Sequence, residues 1–376
     1  MVRFLHTSDW QIGMKGGGLG EAGPIVRETR IESVRNVLRL AQAKAVDFVL
    51  MCGDAFEHNM VSQEEVKKVV RIFNDYEKVP IYLLPGNHDA LGAGCIYNRE
   101  IFKRVSHLTI LNTTNPVKVA DVTLHPCPVV SRITPHDLTE KIGPVHKVAG
   151  IHIGVAHGSL VGKFPVSNWE DIDLPIDPSC IERTGVEYLA LGHWHSQRIF
   201  EDDAGTGRIA YSGTHEQTDY SEDNAGRCLL VAIDKKGDAP QIESVETGQL
   251  RWVSKEFKME DSRSLGELKD YLDSIRGIDM VRLVLNGELP LEYRQELDNL
   301  LDFQTTMHKN IRIDSESLNI TVPFQSETPV DTGDLTLNRT ETKLRQLLAN
   351  ETNPRRGRVI LDALTQLQAF AKEAEA

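Results

Sequence analysis

Five times along this chain an apolar run stops at a residue able to do chemistry. VRFLHTS runs into Asp9, VDFVLMCG into Asp54 and PIYLLPG into Asn87. KVAGIHIGVA runs into His157 and VEYLALG into His193. A run such as VDFVLMC has no polar alternation, so it suits a strand buried on both faces, as in parallel sheets covered by helices. Between the first two runs, Ile31, Val34, Val37, Leu38 and Ala41 recur at the spacing of one helical face. A second helix is predicted from about Gln63 to Tyr76. Alternating strands and helices of this kind make an α/β fold, and ligands of such folds gather beyond the carboxyl ends of the strands. Residues far apart in sequence then meet at one edge.

The whole-chain figures set the limits. The chain has 376 residues, enough for two or three domains, and 40% hydrophobic with 26% charged residues is ordinary for a globular protein. A net charge of −13 argues against a chain that coats nucleic acid nonspecifically, though it leaves room for a local basic rim. No apolar run nears the roughly 20 residues of a membrane span, so no membrane association is expected. MVRFLHTSDW enters a strand directly, without a basic and then apolar leader, so secretion is not expected. Cys52, Cys95, Cys127, Cys180 and Cys228 are odd in number and form no CxxC pair. They read as buried small hydrophobes in a reducing cytoplasm.

From about Arg208 the pattern changes. RIAYSG, RCLLVAID, QIESVET and RWVSKEFKM are expected to form a second sheet against the first. From Asp261 a smaller α+β unit is predicted: SLGELKDYLDSI helical, MVRLVLNG extended, LEYRQELDNLLDF helical, IRIDSESLNITV extended. The expected domains are a core at 1–258, this unit at 259–324, a linker at 325–336 and a helical tail at 337–376. The tail carries two apolar stripes, Leu344, Leu347 and Leu348 on one helix and Ile360, Leu364, Leu367 and Ala371 on the next. These suit either a partner helix or each other. Arg355, Arg356 and Arg358 between them suit a phosphate contact or a solvated turn.

Taken singly, the strand-end residues have plain explanations. Asp9 can ligate a metal or cap the next helix, and Asp54 and Asn87 can simply belong to turns. His193 and His195 form an HxH pair that reaches one edge only if the backbone turns there. Their joint order, each after an apolar strand, argues for a single site. Its oxygen and imidazole donors, without thiolate, suit Mn²⁺, Fe²⁺ or Zn²⁺.

With these strings in order, HTSDWQIG, GD, GNHD, VAHGS and GHWH, the chain resembles the calcineurin-like metallophosphoesterase superfamily over about residues 1–255. Its HTSDW opening and the YSGTHEQTDYSE segment after GHWH resemble the SbcD-like DNA repair nuclease branch. The resemblance implies a two-sheet α/β sandwich core, a capping α+β domain that contacts DNA, and C-terminal helices. It implies two divalent ions, with Mn²⁺ first and Fe²⁺, Mg²⁺ or Zn²⁺ as alternatives. Asp54 would bridge them, Asp9 and His195 would hold the first with Gln11 at the usual His position, and Asn87, His157 and His193 would hold the second. His88 would contact the phosphate and protonate the leaving group. The implied activity is DNA exonuclease or endonuclease cleavage in break repair or end processing, by two-metal activation of a bridging hydroxide. The implied partners are DNA, an SbcC-like coiled-coil ATPase subunit and a second copy of the chain.

Two departures stand out. Gln11 offers a neutral amide where imidazole is usual: it ligates through oxygen, or it orients a water, or it leaves the first site weak. Glu57 and then His58 follow the GD motif, where SbcD-like nucleases commonly carry a His three residues on, and His58 reads as an exposed loop residue. His6 reads as a core or supporting residue, and His152, five positions from His157, faces the opposite side of its strand. GSLVGKF falls one residue short of a phosphate loop and lacks the following Ser or Thr. Two other readings remain open: a phosphoesterase of non-nucleic-acid substrates, and a catalytically weakened structural subunit.

Overall fold

The computed structural model describes residues 1–163, 173–202, 205–277, 279–321 and 335–351, and within the tail 353, 356–357, 359–364 and 366–367. The chain opens with β1 (Val2–Thr7), α1 (Gly23–Ala43), β2 (Phe48–Cys52), α2 (Gln63–Asp75) and β3 (Ile81–Leu84). A short α3 (Glu100–Lys103) leads to β4 (Leu108–Ile110), β5 (Val117–Val119), β6 (Val122–Pro126) and β7 (Ile151–His157). The small pair β8 (Ser159–Leu160) and β9 (Pro175–Ile176) precedes α4 (Cys180–Thr184), β10 (Tyr188–Gly192), β11 (Arg198–Glu201) and β12 (Gly207–Tyr211). Then come β13 (Arg227–Ile233), β14 (Gln241–Glu246), β15 (Arg251–Met259), α5 (Ser262–Asp273), β16 (Asp279–Pro290), α6 (Arg294–Met307), β17 (Ile311–Thr321) and α7 (Leu335–Ala349).

The chain forms two compact units, Met1–Trp252 with Ile278–Met280, and Val253–Gly277 with Val281–Ala376. The first holds two six-stranded sheets, β14-β13-β1-β2-β3-β4 and β11-β12-β10-β7-β6-β5. β1 to β4 are parallel to one another, as are β12, β10, β7 and β6, while β13, β14, β11 and β5 pair antiparallel with their neighbours. Each apolar run therefore feeds two cores at once. In β2, Phe48, Leu50 and Cys52 face the second sheet, while Val49 and Met51 face α1 and α2. Phe4 stacks on Phe48 at 5.0 Å between ring centroids, and Tyr188 of β10 meets Phe4 edge-on. α1 contributes Ile31, Val34, Val37, Leu38 and Ala41 to the outer core of the first sheet, all from the predicted face. Ile142, Val145 and Cys180 cover the second sheet on its far side. The result is the α/β sandwich that the strand pattern and the resemblance implied.

The strand assignment after Arg208 differs from expectation. Only the RIAY segment, as β12, joins the second sheet. RCLLVAI and QIESVE, as β13 and β14, return to the first sheet beside β1, and β15 belongs to a third sheet, β15-β16-β17. Cys228 and Leu230 of β13 face the α1 side and Leu229 and Val231 the inter-sheet side, so this strand too is buried on both faces. An apolar run shows how deeply a strand is buried, and leaves open which sheet it joins.

In the second unit, the predicted helix, strand, helix and strand appear as α5, β16, α6 and β17, with β16 and β17 parallel. Asp261 and Ser264 form a reciprocal cap at the start of α5. Leu265, Leu268 and Leu272 of α5 pack with Val281, Leu283, Leu285 and Leu297. α7 begins at Leu335, two residues before the expected start of the helical tail, so Leu335 and Thr336 of the expected linker are helical. The rest of that linker, with Arg355, Arg358 and Ala371, lies outside the described residues. Leu347 is half exposed, whereas Leu364 is buried. All five cysteines are buried and free. Among the described residues no helix is long and apolar enough to cross a membrane.

Candidate metal centre

The parallel strands of both sheets end at one place, and their last residues turn sharply. Asp9 (φ 54°), Gln11 (φ 42°), Asp54 (φ 56°) and His193 (φ 109°) all have left-handed backbone, four of only seven such non-glycine residues described. Strain of this kind persists where surrounding structure over-determines it. Here the loops after β1 and β2 are zipped together: the Asp9 amide donates to the Gly53 carbonyl at 3.0 Å and the Gln11 amide to the Asp54 carbonyl at 2.9 Å. Three glycines permit the close approach. A Cβ on Gly53 would lie 2.1 Å from His157 Nδ1, one on Gly86 2.2 Å from Asp54 Oδ1, and one on Gly192 1.9 Å from the Cys52 carbonyl.

Four of the predicted ligands meet. His157 Nε2 lies 3.2 Å from Asp54 Oδ2 and 2.8 Å from Asn87 Oδ1, and His193 Nδ1 is 3.2 Å from the same Asn87 oxygen. Donor atoms of Asp54, His157 and His193 all fall within 4.8 Å of one another. The Cys52 carbonyl, 2.9 Å from His157 Nδ1, accepts that ring's proton and leaves Nε2 as the lone-pair atom facing the cluster. An amide oxygen, a carboxylate and two imidazoles converging in a buried pocket form a donor set that fits a divalent cation.

The other predicted residues surround this point without closing a second cluster. The Asp9 carboxylate accepts from the His193 amide at 3.0 Å and from Ser8 Oγ at 2.5 Å, and Ser8 is tied in turn to Ser212. His195 Nδ1 is 2.7 Å from Glu222 Oε1, so the carboxylate holds that proton and frees Nε2. Gln11 is 8% exposed. The His88 amide donates to Asp54 Oδ1 at 2.9 Å, while its Nδ1 lies 2.9 Å from the Glu57 carbonyl.

The charges respond to this crowding. Burial pushes the Asp54 carboxyl up, but His157 overrides it and the group settles at about 2. Burial presses His157 down, but Asp54 outweighs it and the imidazole rises to about 9. Without metal, then, a proton on His157 balances Asp54; a divalent cation would take that proton's place. Burial, helped by the charge on His157, lowers His193 to about 3. Burial raises Asp9. It opposes charging of His195, yet the Glu222 hydrogen bond carries that imidazole upward.

Several supporting residues escaped the sequence reading. Glu222 is fixed by the Thr218 amide (2.7 Å) and hydroxyl (2.8 Å), and its only signal was an acidic residue inside YSGTHEQTDYSE. Asp89, the last letter of GNHD, accepts from the Gly86 amide at 2.7 Å, the Phe56 amide at 3.1 Å and the Tyr97 hydroxyl. Fully buried Arg30 ties the Asp9 and Trp10 carbonyls to that of Glu216. His6 is a buried supporting residue, bonded to the Tyr188 hydroxyl and the Leu191 carbonyl. His58 is half-buried, its Nδ1 without a partner among the described residues, and so is not the exposed loop residue expected.

Residues 2–197, just over half of the chain, match the calcineurin-like phosphoesterase family. The chain belongs to that family. Membership in the calcineurin-like phosphoesterases makes it a metallophosphoesterase and implies divalent metal ions. It is similar to the DNA double-strand break repair protein Mre11 of Sulfurisphaera tokodaii, 23% identical over 254 residues, which is 65% of this chain and 62% of that protein. It is also similar to an uncharacterized metallophosphoesterase, YhaO, of Bacillus subtilis, 23% identical over 310 residues, 77% of this chain and 72% of that one. The tartrate-resistant acid phosphatase type 5 of Homo sapiens is 32% identical over 97 residues, 24% of this chain and 28% of that protein.

Proposed function

We propose that this calcineurin-like phosphoesterase is a metal-dependent DNA nuclease of the SbcD-like branch, acting on ends or single strands in break repair. The observation that carries the reading is the convergence of Asp54, Asn87, His157 and His193 from four strand ends. The similarity over 65% of the chain to a protein named for DNA double-strand break repair supports DNA as the substrate. A second compact unit beyond the matched residues supports a macromolecular substrate.

In this reading Asp54 would be shared by two ions, Mn²⁺ being the first candidate. Asn87, His157 and His193 would complete one site, and Asp9, Gln11 and His195 the other. When bound, the ions supply Lewis-acid charge to the phosphate and a water nucleophile of lowered pKa. The side chains do the rest. The Cys52 carbonyl and Glu222 fix the tautomers of His157 and His195. The Glu57 carbonyl holds His88 Nδ1–H, so Nε2 is the atom that accepts a proton and returns it to the departing oxygen. The C-terminal helices would dock on a coiled-coil ATPase subunit, and a second copy of the chain would complete a dimer. The free buried cysteines support a reducing cytoplasm as the site of action.

The test is cleavage by the purified chain with Mn²⁺ of labelled linear duplex, single-stranded DNA and bis-p-nitrophenyl phosphate. DNA cleavage abolished by Asp54→Ala and by His88→Ala supports the proposal. Ester hydrolysis with intact DNA favours a small-substrate phosphoesterase, the reading that the acid phosphatase similarity prompts. No turnover of any substrate, even with the ATPase partner present, leaves a structural subunit.

A further inference from the structure

A second cluster of imidazoles lies on the other face of the second sheet. Val122 and Leu124 of β6, with Ile151 and Ile153 of β7, face the core between the sheets. His125 and His152 therefore face outward, since side chains alternate along a strand. The parallel register sets Thr123 beside His152 and His125 beside Gly154, so the two rings reach each other diagonally across adjacent strands. His125 Nε2 stands 3.0 Å from His152 Nδ1. Both residues are buried, at 7% and 2% exposure, and a cavity of about 360 Å³ opens over them, bordered also by Thr123, Pro144 and Val145.

The geometry points to a second metal site there: one zinc-class divalent ion held by His125 Nε2 and His152 Nδ1, with water from the cavity completing its shell. Zn–N bonds of about 2.0–2.1 Å meeting at a tetrahedral angle place their nitrogens about 3.3 Å apart. The pair as folded needs to open by only about 0.3 Å. Burial, and then the neighbouring His152, lower His125 to about 4, so His125 stays in the neutral form that ligates metals. The buried Glu187 carboxylate accepts from the His152 amide at 2.7 Å and fixes the backbone at that position. Lys141 also borders the cavity, but it lies on the exposed rim. His152 Nε2 is buried without a partner among the described residues, so the fold's own hydrogen bonding does not use this ring fully. An ion here would clamp β6 to β7 without touching the phosphoesterase centre.

The site is tested with the chelator-stripped full chain, titrated with Zn²⁺ by calorimetry and followed by thermal melting. Asp54→Asn removes the bridging carboxylate and is expected to retain one Zn²⁺ equivalent per chain. Adding His125→Gln, or in a separate chain His152→Asn, should abolish that equivalent and the accompanying rise in melting temperature. His125→Gln alone should leave Mn²⁺-dependent phosphodiester hydrolysis within about twofold of wild type. The proposal is overturned if Asp54→Asn binds no Zn²⁺, or if its retained equivalent survives both histidine substitutions. In either case the pair is an ordinary interstrand hydrogen bond. Because the readout is taken with the phosphoesterase centre disabled, it stands or falls independently of the nuclease reading.

Discussion

Gly86→Ala probes the centre with a single methyl group. Gly86 does not have left-handed backbone, so alanine brings no conformational strain of its own. The cost is steric: the new Cβ would sit 2.2 Å from Asp54 Oδ1 and 2.5 Å from the Asp54 amide nitrogen. Restoring ordinary van der Waals contact requires about 1 Å of separation, and both clashing atoms belong to a residue zipped by its backbone to the β1 loop. Overpacking of this size costs about 1–3 kcal/mol of stability. A misplacement of about 1 Å in a catalytic constellation costs about 100-fold in rate. The assay pairs bis-p-nitrophenyl phosphate kinetics in Mn²⁺ with calorimetric Mn²⁺ titration and thermal melting. The expected outcome is a folded protein with hydrolysis down about 100-fold and weakened metal binding. Gly266→Ala is the control: it lies in α5 with nothing within 4 Å of the added methyl, and should be neutral or slightly stabilising. A folded Gly86→Ala protein with wild-type turnover would refute the placement of Asp54 at the reacting centre.

Gln11→His should tighten the weaker of two Mn²⁺ binding steps by more than tenfold, because imidazole replaces an amide at a left-handed position that His tolerates; an unchanged isotherm counts against Gln11 as a ligand position. Glu222→Ala should weaken metal binding about 10–100-fold by releasing His195, with Glu222→Gln intermediate, whereas equal affinities would show that the carboxylate does not orient that ring. His6 is driven down to about 3 by burial, against the pull of the Leu191 carbonyl, so its folded value lies below the unfolded value of about 6.5. Its contribution to stability is complete above pH 6.5 and is lost as pH falls toward 3, at up to about 1.4 kcal/mol per pH unit. Denaturant midpoints from pH 6.5 to 4 should therefore fall less steeply in His6→Gln, and an identical slope would place the titration elsewhere.

The strand ends were legible in the sequence because burial on both faces writes an unbroken apolar run, and each run stops where the chain meets the site. Asp54, Asn87, His157 and His193 stand at those ends, the resemblance marks them as ligands, and the structure brings their side chains together. What surrounds them could not. Glu222 is 27 residues from His195, and Arg30 is 186 from Glu216, and neither separation leaves a local periodicity. The placement of β13 and β14 was misread for a related reason. An apolar strand satisfies either sheet equally, and the choice lies in long-range pairing with β1. The diversion of Asp9 toward Ser8 and the His193 amide, and of His195 toward Glu222, is likewise a matter of side-chain geometry that no spacing encodes.

The converging donors come from two different sheets: Asp54 and Asn87 follow β2 and β3, while His157 ends β7 and His193 follows β10. A cation held among them acts as a rivet across the seam of the sandwich. Its binding free energy is then added to the cohesion of the whole first unit, about 2.7 kcal/mol when the free ion stands at 100 times its Kd. The coupling runs both ways. A substitution deep between the sheets, at Phe4 or Phe48 and far from any ligand, would loosen the seam and so reduce affinity for the ion. Metal content thus becomes a readout of folding quality, and a preparation that purifies metal-poor carries information about its core as well as its active site.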